Sequence, residues 1–464
     1  MAILALALYP VTLLILYAAC SQHYAPTEYS STIRLLMLAV FAPILLKFLL
    51  NLLIAPWYPL VERARARRWA APPHPPSVSV LVPAWNEEVG IGATMRSVLA
   101  TGYPDLELIV IDDGSTDGTR ESIEATIRDH AAGEGRRPGA ATVRYRSVPN
   151  GGKARALNLA LAMARGEIVV TVDADSVVDR DAIANLARRF ADPEVAAVSG
   201  TVAIGNRAEP IGLVQQLEYL YGFYFKRAEA VMGAVYIVGG AAAAYRRDVV
   251  AGLGGFDEAN ITEDIELSTR LQYEGHKVGY AADATVYTEG PSDFKSLCRQ
   301  RLRWKHGRFL TFYKYRDMFF STNSKHNKYL SFVVLPIAMY AEVLLFFHIA
   351  LLSIFYVHTF HTHDCRAIAV VAALLLLVVC VQVGSDRNTR YHRNLLLLAP
   401  VAWLLVYVMD MVEYQSLVRS VRRLATGRPP SWQRWKRVGV FGDARGAAGG
   451  IDAGSLEAGA SRSA

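Results

Sequence analysis

Cysteine is scarce in this chain: four in 464 residues, at Cys20, Cys298, Cys365 and Cys380. They are scattered, with no pair at metal-ligand spacing, which argues against both a zinc site and a disulfide framework. A positively charged stretch is also missing ahead of the first apolar block, residues 2–20. That block therefore reads as a membrane span rather than a signal peptide. Apolar residues, by contrast, are abundant. They make up 52% of the chain, and the mean hydropathy is positive, high for a wholly soluble protein. The length exceeds one ordinary domain. The net charge of +7 suits either nucleic acid or an anionic membrane surface. The basic residues cluster beside apolar blocks, at 63–68 and 419–437, which favours the membrane and no nucleic-acid partner.

A second apolar block, 35–56, carries Lys47 and Asn51. The basic run 61–68 follows it and is expected in the cytoplasm, which puts the amino terminus there as well after two spans. Beyond residue 325 come three more apolar blocks, 329–357, 366–384 and 395–413. About 20 residues cross a bilayer as a helix, so the first of these is over-long. It contains Glu342, and an intramembrane carboxylate is costly and usually faces a protein-lined path; a span end at the interface is the other reading. Three spans after a cytoplasmic domain send the tail outside. Yet Arg419, Arg422, Arg423, Arg428, Arg434, Lys436 and Arg437 favour the cytoplasm. Either one block is re-entrant or the first is broken. The expected boundaries are two spans within 1–60, a cytoplasmic domain with interfacial helices over 61–325, further spans over 326–415, and a tail over 416–464. That tail is basic first; its Gly-, Ala- and Ser-rich end, 440–464, is expected to be disordered.

Between the spans, residues 71–76 (Ala-Pro-Pro-His-Pro-Pro) read as a stiff linker. Strand-like and helix-like runs then alternate. Val78 to Val82, Leu106 to Ile111, 142–148 and Ile168 to Val172 predict strands; 117–129 and 153–164 predict helices. This βαβα alternation implies an α/β fold, a mostly parallel sheet with helices on both faces. Ligands of such sheets bind beyond the carboxyl ends of the strands. Pro83-Ala84-Trp85-Asn86-Glu87, Asp112-Asp113 and Asp173-Ala174-Asp175 all fall at such ends.

Asp173 and Asp175, two apart in an extended strand end, point to the same side. Magnesium or manganese bound to a diphosphate needs only one or two protein carboxylates, although many Asp-x-Asp pairs are solvated turns. Asp112-Asp113-Gly114-Ser115 also passes as a turn, but a carboxylate at this depth can accept from a uracil imide. Lys153, after Asn150-Gly151-Gly152 and at a helix start, is placed to meet a phosphate; a surface lysine is the plainer reading. Thr262-Glu263-Asp264 offers a carboxylate that can take a proton from an acceptor hydroxyl, or else a helix cap. Gln300, Arg303 and Trp304 lie at i, i+3 and i+4 of an amphipathic helix and share one face. There Arg303 can grip a diphosphate and Trp304 can stack on a sugar. A helix lying on the membrane explains the Arg and Trp but not the glutamine on their face.

Together these motifs, with Gly239-Gly240-Ala241, resemble the family 2 glycosyltransferases in their processive, membrane-embedded branch, across about residues 77–310. That branch includes cellulose, chitin, hyaluronan and poly-N-acetylglucosamine synthases. The resemblance implies a nucleotide-sugar transferase (GT-A) domain in the cytoplasm, flanked by transmembrane helices in a cell inner or plasma membrane. It implies that the segments of Glu87 and of Asp112 and Asp113 hold the uridine, and that Lys153 and Asp173 contact the UDP part. It further implies that Asp175, with Asp173, holds Mg2+ or Mn2+, and that Asp264 is the base. Gln300, Arg303 and Trp304 would hold the acceptor end and the diphosphate. The implied partners are a UDP-sugar, a growing polysaccharide, the lipid bilayer and a small accessory membrane subunit. Ala242 to Ala244 depart from relatives that carry Ser or Thr there, which leaves acceptor contacts open. Nothing resembles a cyclic-dinucleotide-binding tail, which makes cellulose a poorer fit. The compact layout is most similar to bacterial poly-beta-1,6-N-acetylglucosamine synthases, then chitin-oligosaccharide and hyaluronan synthases. Two rivals to a polymerising enzyme are a non-processive transferase acting on a lipid carrier and an inactive scaffold or pore subunit.

Overall fold

The computed structural model of the protein describes residues 2–21, 28–69, 74–133, 140–207, 210–386, 389–428 and 437–440. Helix α1 (Ala2–Ser21) is followed by α2 (Glu28–Ile54) and α3 (Tyr58–Arg68). The domain then runs β1 (Val78–Ala84), α4 (Ile91–Leu99), β2 (Leu106–Asp113), α5 (Thr119–Ala132), β3 (Thr142–Val148), α6 (Lys153–Met163) and β4 (Ile168–Thr171). Next come β5 (Ser176–Val178), α7 (Ala182–Ala187), β6 (Val195–Ile204), α8 (Pro210–Val231), β7 (Ala243–Arg246) and α9 (Arg247–Gly252). The domain closes with α10 (Glu263–Tyr273), β8 (Lys277–Thr288) and α11 (Phe294–Lys314). Helices α12 (Leu335–Phe346), α13 (His348–Thr362), α14 (Arg366–Ser385), α15 (Thr389–His392) and α16 (Ala402–Thr426) complete the chain.

Eight strands form one sheet in the order β3-β2-β1-β4-β7-β6-β8-β5. The pairs β3-β2, β2-β1, β1-β4 and β6-β8 are parallel. The pairs β4-β7, β7-β6 and β8-β5 are antiparallel. The strands anticipated from the sequence are the four that make the wholly parallel half. Strands β1 and β2 are buried along almost their whole length. Helices cover both faces, so these strands read as near-continuous apolar runs rather than alternating ones. One core, around Val80, Val82, Met95, Leu108 and Ile183, fills one face; another, around Leu81, Ile109, Leu157, Leu267 and Tyr245, fills the other.

Among the described residues three helices are long and apolar enough to cross a membrane: Ser31–Arg68, Arg366–Ser385 and Ala399–Thr426. A fourth is available if Leu330–Phe346 and His348–Thr362, bent by 68° at the break, act as one. The apolar stretch Tyr9–Ser21 of α1, in the block expected to span, is shorter. At one end of α2 Asn51 accepts from Tyr329 Oη (3.3 Å); at the other Arg34 pairs with Asp364. Tyr340 Oη donates to Val40 O between them (2.7 Å). The over-long block 329–357 is therefore a broken helix pair running the length of α2. Helix α14 starts beside Asp364 and returns to the domain, where Arg227 Nη1 donates to Ser385 O (2.9 Å).

The last apolar block folds back on itself. Tyr391 Oη donates to Ile204 O in the domain (2.6 Å), while Pro400 O accepts from Thr12 of α1 (3.2 Å). Trp403 packs on Ile368 and Ala372 near the start of α14. Helix α16 then comes back to the domain, where Val412 packs against Leu297 and Cys298 of α11. Two expected boundaries move. The one at 60 falls inside α3, whose Arg65 donates to Ala230 O (3.0 Å), so the basic run is docked on the domain. The one at 415 falls inside α16, which stays helical to Thr426. The expected disorder of 440–464 lies outside the described residues apart from Val440, which is buried, and the linker 71–76 is described only from His74.

Candidate active site

The acidic ends of the parallel strands meet a loop and two helix starts around a cavity of about 860 Å³. Asp113, at the end of β2, lines it and organises its floor. Its carboxylate accepts from the backbone N–H groups of Gly151 and Gly152, each at 2.8 Å, and from Asn150 Nδ2 at 3.1 Å. Asp112 points away from the cavity, accepting from Ser115 N (2.9 Å) and Ser147 Oγ (3.1 Å). Gly114, at φ +72°, carries the chain on from the two aspartates; a Cβ there would stand 2.6 Å from Asn150 N, so both conformation and space demand glycine.

Asn150-Gly151-Gly152 delivers Lys153 to the first turn of α6, and its ammonium is the hinge of the site. Lys153 Nζ lies 2.6 Å from Asp173 Oδ1 and 3.1 Å from Glu263 Oε1. Burial alone would lower its pKa, but the carboxylates of Asp173, Glu263 and Asp264 outweigh that and hold it well above the usual lysine range. One cation thus joins the Asp-x-Asp after β4 to the Thr-Glu-Asp at the start of α10. Thr262 is the residue flanking that helix, and Asp264 sits inside its first turn rather than capping it. The Asp264 carboxylate accepts from Gly240 N (3.1 Å) and from its neighbour Ile265 N (2.9 Å). A carboxylate in a first turn is also favoured by the helix dipole.

Helix α11 closes the cavity from the side of α12 and α16. Gln300, Arg303 and Trp304 all line it, as their shared face predicts. Burial pushes the Arg303 guanidinium down to about 10, which leaves it charged at neutral pH. One helical turn beyond Arg303, Gly307 lies against Thr262: a Cβ there would come within 2.0 Å of Thr262 Oγ1. The absence of a side chain at 307 is what lets α11 approach the Thr-Glu-Asp turn.

Of the residues singled out from the sequence, all but Asp112 reach the cavity wall. Others reach it without a local signal in the sequence. Lys226 of α8 donates to Ile237 O (2.9 Å) and Ser199 Oγ (3.1 Å), lies 4.6 Å over the Phe223 ring, and is drawn by burial down to about 8. Arg437, assigned from the sequence only to a basic tail, enters the cavity. Its guanidinium pairs with Glu87 and lies 2.7 Å from Asp175 Oδ2. Glu289 fixes the backbone behind it by accepting from Val438 N (2.8 Å) and Gly439 N (3.1 Å). Burial raises the Glu87 carboxyl to about 8, the Arg437 charge opposing that rise and Asp175 adding to it.

Three polar atoms in this wall, Asn86 Nδ2, Glu87 Oε2 and Gln300 Oε1, are buried and find no protein partner among the described residues. Such groups are costly unless something supplies their hydrogen bonds. The Asp-x-Asp also fits a divalent ion chemically. Both carboxylates line the cavity, and Asp175 already has a cation, the Arg437 guanidinium, against it. Among the described residues no three His, Cys, Asp or Glu converge as a metal cage, so an ion here would draw its remaining oxygens from elsewhere, as a diphosphate can provide.

Comparison with known proteins agrees with this arrangement. Residues 75–307 match the family described as Glycosyltransferase like family 2. The chain is 32% identical over 233 residues to a poly-beta-1,6-N-acetyl-D-glucosamine synthase of Staphylococcus aureus, covering 50% of this chain and 54% of that protein. It is 31% identical over 236 residues to the Staphylococcus epidermidis protein of that name, with the same coverage. The match thus spans about half the length of the curated relatives. In fold, a mannosyltransferase of Pyrobaculum calidifontis, solved with GDP-Man and Mn2+, superposes with a TM-score of 0.51 at 22% identity, covering 84% of this chain and 98% of that one. That likeness bears on the architecture, a GT-A-like domain, and not on the substrate. With half the chain matched, and with the motifs of that half gathered on one cavity, the protein belongs to glycosyltransferase family 2 and is a glycosyltransferase.

Proposed function

We propose that the protein is a membrane-embedded inverting glycosyltransferase that builds a β-linked polysaccharide from a UDP-sugar, with UDP-N-acetylglucosamine the best candidate, and passes the product across the membrane. The observation that carries this reading is the position of Lys153. It binds Asp173 on one side and Glu263, next to Asp264, on the other. A diphosphate held near Lys153 therefore leaves its anomeric carbon facing the Asp264 wall.

In the transfer, an acceptor hydroxyl attacks the anomeric carbon, the bond to the diphosphate oxygen breaks, and Asp264 takes the hydroxyl proton. A positioned base of this kind supplies about 10² to 10⁴ in rate. The two backbone N–H groups on Asp264 aim its carboxylate before substrate arrives. Lys153 and Arg303, with the start of α6, stabilise the negative charge that grows on the departing nucleotide. Asp113 and the Glu87 segment hold the uridine end, and Gln300 and Trp304 hold the acceptor sugar. Asp175, with Asp173, would hold Mg2+ or Mn2+, which supplies further charge neutralisation on the diphosphate.

The contacts at the ends of the helices support one orientation. The broken pair α12–α13 crosses alongside α2, α14 crosses back, and the segment from α15 through α16 is re-entrant. The tail is then on the side of the catalytic domain, the cytoplasm by the basic residues of α3 and α16. The entry of Arg437 into the cavity supports the same side. The test is a panel of UDP-sugars given to the purified chain in detergent with Mg2+ or Mn2+. A long polymer formed from UDP-N-acetylglucosamine, with one UDP released per sugar, is expected. A product of one sugar per lipid molecule would overturn polymerisation in favour of a lipid-linked transferase.

A further inference from the structure

Around α11 is a second set of charges, part of it in the cavity wall and part behind it. Arg301, Lys305 and Arg308 fall at i, i+4 and i+7 and form one stripe, next to the Gln300–Arg303–Trp304 stripe. Carboxylates from three other helices meet them. Arg301 Nη2 is 2.6 Å from Glu218 Oε2 of α8, and its Nε is 3.9 Å from Glu413 of α16. Lys305 Nζ is 2.8 Å from Glu342 Oε2 of α12 and 2.6 Å from Glu413 Oε2. Arg308 Nη1 is 3.2 Å from Glu342 Oε1. Three cations thus balance three carboxylates.

Arg301, Lys305 and Glu342 are buried, and buried ion pairs are poor stabilisers. Taking the charges out of water offsets most of their attraction, and well-packed apolar residues often serve stability as well or better. What such a cluster does supply is geometry, because each charge tolerates few positions. That geometry reaches the cavity wall, which Glu218, Arg301 and Arg308 line. The Arg301 guanidinium lies 4.1 Å over the ring of Trp304. The side chain that holds the Trp304 ring is thus itself held by α8 and α16.

We propose that these six side chains are a positioning clamp, which locks α11 to α12 and α16 and through Arg301 fixes the attitude of the Trp304 ring toward the acceptor. This rests on the reading of Trp304 as the acceptor platform. Lys305, Glu342 and Glu413 are outside the cavity wall, so they act through the helix and not on substrate. The clamp makes the platform move with the membrane-embedded helices beside which the product leaves, so that chain extension and passage of the chain share one rigid part.

The test uses the full-length chain in detergent and reads donor KM, polymer length and UDP released per sugar incorporated. Arg301→Lys keeps the charge but loses the planar fork that reaches Glu218 while covering the ring. Expected are a donor KM within about twofold of wild type, polymer shortened severalfold, and more UDP released per sugar incorporated. Lys305→Met shortens the polymer likewise, and Lys305→Arg restores it. A role in stability alone would lower the yield of folded protein and leave polymer length untouched. Wild-type polymer length in Arg301→Lys overturns the clamp, and that conservative variant decides the matter even where Lys305→Met fails to fold. A wild-type chain that makes no polymer strikes instead at the proposed function.

Discussion

Two sets of charges around α11 are arranged in opposite ways. In the first, where Lys153 and Arg437 meet the acidic strand ends, two carboxylates rest on backbone. Asp113 takes N–H groups from Gly151 and Gly152, and Asp264 takes them from Gly240 and Ile265. The side-chain cations there, Lys153 and Arg437, sit beside atoms that lack a partner, such as Glu87 Oε2 and Gln300 Oε1. In the second set every carboxylate is met by a side-chain cation: Glu218 by Arg301, Glu342 by Lys305 and Arg308, Glu413 by Lys305 and Arg301. The first arrangement suits a site that exchanges partners. Asp113 and Asp264 stay aimed when a cation turns to a phosphate, because backbone and not that cation aims them. The second suits a part that must not move, since removing any one member leaves a buried charge exposed to its like neighbours.

The comparison breaks first at Asp264. Asp264→Asn keeps the side-chain volume and an acceptor oxygen for one of the two N–H groups of Gly240 and Ile265, which meet different oxygens of the carboxylate, so the fold and the donor site survive while the proposed base is lost. Turnover is expected to fall by about 10² to 10⁴ with UDP-sugar affinity unchanged. Single-turnover UDP release beside donor binding measures this, and near-normal turnover would take the base role from Asp264.

Asp175→Ala comes next. Donor binding in Mg2+ or Mn2+ should weaken by about a hundredfold, the scale on which metal sites respond to altered ligation. Excess chelator should bring the wild type down to the variant. Full wild-type activity in chelator would remove the ion from the proposal. Substituting Glu342, in the second set, should leave metal dependence alone, which sharpens the contrast between the two charge sets.

Trp304→Ala tests the ring between them. Losing a stacking surface should cut chain extension about tenfold to a hundredfold while donor affinity holds, since an aromatic contributes contact area and orientation and no charge. Polymer length and donor affinity are read on one folded preparation. Poor insertion with normal-length product would assign Trp304 to the membrane interface instead.

The cavity side was legible in the sequence to the extent that its residues sit on local features. Strands β1, β2 and β4 are buried on both faces, so each reads as an apolar run, and the acidic or Asn-Glu segment after it marks the carboxyl end of a parallel strand. Asp113, Asp173 and Asp175 follow from that, and Gln300, Arg303 and Trp304 from helical spacing. The orientation of Asp112 did not follow, because two adjacent carboxylates at a strand end face opposite ways and only the fold says which turns in. Nor did the antiparallel half: β5 has three residues, too few to carry a period. The apolar part after the domain was ambiguous for a like reason. Residues 329–357 read as one long, mostly apolar block, and the break at Phe347 has no proline or glycine of its own. Glu342 looked like either a path-lining carboxylate or an interfacial one, and its partner Lys305 lies 37 positions away.

Arg437 is the hardest residue to have found, 350 positions from Glu87, and it offers the mildest test. Its guanidinium occupies the side of Asp175 that a divalent ion would need. In the absence of nucleotide it competes with that ion, so Arg437→Ala should tighten Mn2+ binding to the free protein. The pair is mostly buried but opens on the cavity, and the expected change is about 1 kcal/mol, or about fivefold in affinity. With a UDP-sugar present the sign should reverse, because the guanidinium then has a diphosphate to face and the variant loses that contact. Mn2+ titrations with and without UDP measure both halves. Tighter metal binding without nucleotide and weaker binding with it would place Arg437 among the exchangeable charges of the cavity. An unchanged Mn2+ affinity in both titrations would make it a fixed strut like Lys305, and the contrast between the two charge sets around α11 would fail at its edge.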